Sequence, residues 1–150
     1  DPYFDDKSDE EGYRHAFEIT LENIKRFTNF DVLGHMDYVV RYGSRQEKSY
    51  SYQQNADILD EIMKYLIANG KGIEINTAGW KYGLPFAHPH MDVIKRYREL
   101  GGEIITVGSD AHRPEHVGYD FYKVGDLLKT CGFKYYTEFK GRKPVFRQLP

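Results

Sequence analysis

The 150-residue sequence contains a single cysteine, Cys131, so no intramolecular disulfide can form and stability must come from a packed core. Nothing near Cys131 in sequence would activate a thiol; it reads as a small packing residue in a reduced compartment, not a nucleophile. No apolar run approaches the ~20 residues that span a bilayer. No signal-peptide pattern opens the chain either, so no membrane association is expected and the cytoplasm is the expected location. An excess of one charge sign is also missing: the formal net charge is -2, and Lys and Arg are spread along the chain. The electrostatic footprint of a nucleic-acid binder is therefore absent, while a short anionic substrate, which needs only one or two well-placed cations, stays open. The glycines form no phosphate-cradling P-loop, and no Ser or Cys stands in a nucleophile elbow.

What the chain does have is aromatic residues, 13 Tyr and 9 Phe, which argue against disorder. With 40% hydrophobic and 29% charged residues it has the composition of one globular domain able to bury a core. Ser8 followed by Glu11 makes a capping box, and Phe17, Leu21, Ile24 and Phe27 recur at helical spacing, which predicts a helix over 8–28. Asp31-Val32-Leu33-Gly34-His35 reads as a short buried strand. The polar stretch 36–54 is too long for a turn and is expected to be functional or to carry short irregular helix. Helix 55–69, strand 72–76, helix 90–100, strand 104–107, helix 118–130 and strand 133–137 follow, and 141–150, with two prolines, reads as a C-terminal tail. The order αβαβαβαβ predicts an α/β fold with parallel strands alternating with helices. A doubly wound sheet and a piece of a barrel both fit; four strands cannot close a barrel, so an open edge is expected.

In parallel α/β folds the C-terminal strand ends share one face, and functional groups collect there. His35 ends the first strand, Asn76 the second, and Asp110 and His112 follow the third, so these four are expected to converge. Imidazole with carboxylate suits Zn, Mn or Fe; the alternative is a His satisfied in the core and an Asp capping a helix. Glu74 shares a strand face with Asn76 and reads more readily as an interior salt-bridge partner than as a ligand or base. His88-Pro89-His90 imitates a metal motif but precedes a helix, so it is read as a helix start with His88 capping.

These motifs resemble a known family. Asp31-Val32-Leu33-Gly34-His35-Met36-Asp37-Tyr38 with Arg41-Tyr42-Gly43, Ile73-Glu74-Ile75-Asn76-Thr77-Ala78-Gly79, and Gly108-Ser109-Asp110-Ala111-His112-Arg113-Pro114 with Val117-Gly118 are similar to motifs of the polymerase and histidinol phosphatase (PHP) family, on its histidinol phosphatase side. The similarity runs over about 2–144. It implies the C-terminal portion, over 1–140, of a distorted (β/α)7 barrel that carries two or three divalent metal ions when complete. It places His35, Asp110 and His112 at metal positions, Asp110 and His112 at the reacting centre, and Arg41, Asn76 and Arg113 on the substrate side, with Lys81 a further phosphate candidate. The implied chemistry is metal-assisted hydrolysis of a small phosphorylated metabolite, L-histidinol phosphate in the type case, in histidine biosynthesis.

The family's opening H-x-H motif does not precede Asp1, and there is no initiator Met. The expectation is that the N-terminal half of the barrel is missing, that the isolated 150 residues are inactive or weakly active, and that a partner supplies the other half or a second copy associates. The competing readings are a phosphoesterase for another phosphomonoester or a nucleotide, and a non-catalytic half-barrel interaction module.

Overall fold

A computed structural model describes residues 1–150. Helix α1, Asp9–Arg26, begins where the sequence predicts. Ser8 Oγ accepts from Glu11 N at 3.2 Å, and Glu11 Oε2 accepts from Ser8 N at 3.0 Å, which closes the capping box. Asp9, Glu10 and Glu11 in its first turn and Lys25 and Arg26 in its last complement the helix dipole. Its Tyr13, Phe17, Leu21 and Ile24 face inward against α2, Ala56–Ala68, whose Ile58, Leu59, Ile62, Met63 and Leu66 form the matching stripe. Removing side chains of this size from water contributes about 1.5–3 kcal/mol each, which outweighs helix propensity as the reason these segments hold.

Strands β1, Val32–Leu33, β2, Gly72–Asn76, and β3, Ile105–Gly108, form a parallel sheet in that order. Val32 lies opposite Gly72, Ile73 opposite Ile105, and Asn76 opposite Gly108. Between β2 and β3 come the short helix α3, Ala78–Lys81, and helix α4, Met91–Glu99; α5, Phe121–Thr130, follows β3. The polar stretch after β1 holds three 3-10 turns, Tyr38–Tyr42, Gln46–Ser49 and Gln53–Asn55. One core of 26 buried residues runs through sheet and helices. No helix is long and apolar enough to cross a membrane.

The end of the chain departs from expectation. Strand β4, Tyr135–Lys140, does not extend the parallel sheet; it pairs antiparallel with β5, Lys143–Gln148, so most of the expected tail is strand. The turn is Gly141 and Arg142, both at positive φ (55° and 62°), the geometry of a two-residue hairpin. Pro144 is tolerated because β5 is an edge. The hairpin meets the sheet at the strands' N-terminal ends. Ile105 N donates to Thr137 Oγ1 at 3.1 Å, and the Arg142 guanidinium donates to Asp31 and Asn29 beside β1.

Cys131 is buried just after α5, and burial pushes its thiol up to about 11. A raised value means little thiolate below that pH, so the native chain is expected to resist a thiol reagent at pH 8 and to label at once when unfolded. Rapid labelling of the folded protein, followed with a chromogenic disulfide, would show that Cys131 is accessible.

Candidate active site

The C-terminal ends of β1 and β3 open onto a cleft of about 540 Å³. His35, Arg41, Asp110 and His112 line it together with Tyr38, Tyr42, Gln46 and Tyr82. Both residues that leave the strand ends take left-handed backbone: His35 at φ 27° and Asp110 at φ 49°. Such conformations cost about 1–3 kcal/mol in a non-glycine residue and persist where the surroundings enforce them, which is common at reacting centres. His35 Nδ1 is buried without a hydrogen-bond partner. His112 stands 75% exposed at the rim, with Nε2 3.6 Å from Asp110 Oδ1.

Helix α1 positions the Arg41 wall. The Asp9 carboxylate, 7% exposed, accepts from the backbone of Ser44 and Arg45 at 2.9 and 2.7 Å and from Ser44 Oγ at 3.2 Å. Burial alone would raise the Asp9 carboxyl, but these bonds hold it below the usual carboxylate range. Tyr13 Oη donates to the carbonyls of Val40 and Gln46. Gly43 lets the loop come this close: a Cβ there would fall 2.0 Å from Tyr13 Oη.

The opposite wall is tied down by α3. Lys81 Nζ donates to the carbonyls of Ser109 and Asp110 at 3.2 and 3.1 Å, so two of its donors hold the loop that carries Asp110. Asn76 is 2% exposed; its Nδ2 donates to Glu74 Oε1 at 3.0 Å and its Oδ1 accepts from Ala78 N at 2.9 Å. Glu74 therefore has a hydrogen-bond partner and no ion pair. Its carboxylate reaches across β3, where a Cβ on Gly108 would sit 2.3 Å from Oε2. Arg113 is exposed and Asn76 is buried; neither lines the cleft.

Below the cleft lies a buried polar network. Asp37, fully buried, accepts from His88 Nδ1 at 2.7 Å, Tyr50 Oη at 3.0 Å and His90 N at 2.7 Å. His88 also exchanges two backbone bonds with Asn76. The cap of α4 is His90, whose Nδ1 accepts from Asp92 N at 3.0 Å, so the expected capping role of His88 falls to His90. His88 is too deeply packed to cap.

Of the residues expected to converge, His35, Asp110 and His112 share the cleft, joined by Arg41. The sequence reading missed Tyr38, Tyr42, Tyr82 and Gln46. The first two had a signal, because Tyr-x-x-Arg-Tyr places both rings beside Arg41 on one turn. As a metal site, the donor chemistry fits: two imidazoles, one of them with a buried unpartnered nitrogen, and a carboxylate. The count is partial, since no three His, Cys, Asp or Glu side chains are gathered at metal-site spacing.

A parallel sheet with imidazole and carboxylate just beyond its C-terminal strand ends, and a guanidinium from the turn after β1, defines an α/β protein with its candidate site at the strand ends. The PHP domain matches residues 1–78, and the chain belongs to that family. It is similar to the histidinol-phosphatase of Lactococcus lactis, 33% identical over 138 residues, covering 91% of this chain and 51% of that protein. A probable histidinol-phosphatase of Thermotoga maritima is 36% identical over 137 residues, covering 91% of this chain and 55% of the relative. A crystal structure of histidinol phosphate phosphatase from Lactococcus lactis, complexed with zinc, L-histidinol and phosphate, superposes with a TM-score of 0.83 at 32% identity. It covers 95% of this chain and 54% of that one. The chain thus spans about half the length of the curated relatives it matches.

Proposed function

We propose that this chain is the C-terminal portion of a PHP-type barrel that hydrolyses a small phosphomonoester, L-histidinol phosphate, in the cytoplasm. The observation that carries the reading is the shared cleft of His35, Asp110, His112 and Arg41. His35, Asp110 and His112 would hold divalent metal, which when bound supplies Lewis-acid stabilisation of phosphoryl charge and a nucleophile at neutral pH. Arg41 offers a guanidinium fork for the phosphoryl oxygens. Asp110 and His112 sit at the reacting centre, and Lys81 fixes the backbone of Asp110. Tyr38, Tyr42 and Tyr82 line the cleft beside Arg41. Further ligands from another part of the barrel, or from a partner, would complete the two- or three-metal site.

The test is phosphate release from L-histidinol phosphate, with nucleotides and sugar phosphates as competing substrates, by the complete protein containing this chain. Turnover is expected to depend on zinc or manganese, to stop with a chelator, and to be at least about 100-fold slower in the isolated 150 residues, which lack part of the donor set. Full turnover by the isolated chain would overturn the need for further ligands. Preference for a nucleotide would replace the substrate, and inactivity with every divalent metal would remove the phosphatase reading.

A further inference from the structure

Arg41 is held in an unusual way. None of the chain's arginine salt bridges uses it, and its Nε is buried without a hydrogen-bond partner. Three tyrosine rings surround the guanidinium instead: Tyr82 at 4.5 Å, Tyr42 at 5.5 Å and Tyr38 at 5.9 Å from ring centre to guanidinium carbon. All three rings are large, partly exposed aromatics, 42–52% open to solvent, gathered at one spot.

The chemistry of the two kinds of partner differs. A carboxylate binds a guanidinium through its N–H edge, the same edge an incoming oxyanion needs, and neutralises its charge. An aromatic ring is attracted to the cation without accepting at that edge, so charge and donors remain available. The cage thus fixes an arginine while leaving it competent for an anion. Tyr38 and Tyr42 come from the same 3-10 turn as Arg41, but Tyr82 comes from the end of α3, in the connection that follows β2. Its neighbour Lys81 holds the Ser109 and Asp110 carbonyls, so two adjacent residues brace the arginine wall and the ligand loop of the cleft together.

We infer that Tyr82 is a positioning residue for an oxyanion seat at Arg41, specific for a phosphoryl group. This rests on the phosphate contact given to Arg41 above and extends it to the group that aims it.

The chain itself, titrated with inorganic phosphate at constant ionic strength, provides the test. The readout is the Arg41 Nε–Hε resonance, assigned by its loss in Arg41→Lys, with chloride as comparator. Phosphate is expected to shift that resonance and chloride to leave it. Tyr82→Leu is expected to weaken phosphate about fivefold, the scale of one partly exposed cation–π contact, with the backbone amide spectrum otherwise unchanged. Tyr82→Phe keeps the ring face and should bind as the parent does. Equal phosphate affinity in the parent and Tyr82→Leu would overturn the inference, as would an Arg41 resonance that ignores phosphate or answers chloride equally. Phosphate binding that obeys these expectations in a protein unable to release phosphate from any ester would leave the seat standing and remove only the phosphatase reading.

Discussion

Replacing Asp110 by Asn is expected to lower metal content and phosphate release of the complete protein containing this chain by at least about 100-fold while leaving the fold intact. The figure is a floor, because removing even an outer-shell partner of a metal ligand costs about 10–100-fold. The fold should survive because Asp110 sits at φ 49°, a conformation Asn tolerates as readily as Asp. Its carbonyl, which Lys81 grips at 3.1 Å, is unchanged by the substitution. What disappears is the negative charge, and with it both the ligand strength of the oxygen and the partner 3.6 Å from His112. Metal analysis, phosphate release and circular dichroism on the same sample separate these effects. Normal metal content with full turnover would show that Asp110 is not a ligand.

Asp37→Ala should be the most damaging substitution for stability, by about 3–5 kcal/mol, the range for removing one partner from a buried polar pair. The carboxylate is fully buried and accepts three hydrogen bonds, from His88, Tyr50 and His90. Alanine would leave all three donors without water or protein to replace it. Tyr50 cannot adapt by ionising: burial, the largest cause holding its phenol well above the ordinary value, persists when the Asp37 charge is gone, so it stays a donor. With a urea slope of about 1–3 kcal/mol per molar, the midpoint should fall by roughly 1–5 M. Asp37→Asn should fall between, since an amide oxygen still accepts while its NH2 faces other donors. A midpoint unchanged in Asp37→Ala would mean the network adds nothing to folding.

How much of this was readable depended on how local the cause was. Helix α1 was legible because its cap, Ser8 with Glu11, and its apolar stripe lie within one segment. Strand β2 matched residue for residue, since Gly72 to Asn76 carries its own boundary signals. His35, Asp110 and His112 could be grouped because parallel topology brings strand ends together whatever the loops do. The hairpin was not legible. Gly141 gave a turn signal, but Lys143, Pro144 and Arg147 read as tail because β5 is exposed and shows little apolar alternation. Tyr82 in the tyrosine cage and the Lys81 brace were also out of reach, because each joins residues from separate connections whose approach only packing decides. His88 misled for the same reason. Its neighbours suggested a cap, whereas its partners come from elsewhere, Asp37 from the connection after β1 and Asn76 from the end of β2.

The hairpin sets an order for folding as well as a boundary for the sheet. The parallel strands pair through neighbours in the chain, while the Arg142–Asp31 contact joins residues 111 apart in sequence. Closing so long a loop is entropically unfavourable until the intervening units have formed, so this clasp belongs to the last stage of folding. On a ribosome, β1 to β3 can assemble while β4 and β5 are still in the exit tunnel, and the floor of the sheet is sealed only afterwards. A released chain ending before Tyr135 would display the C-terminal strand ends already formed and the underside of the sheet still open.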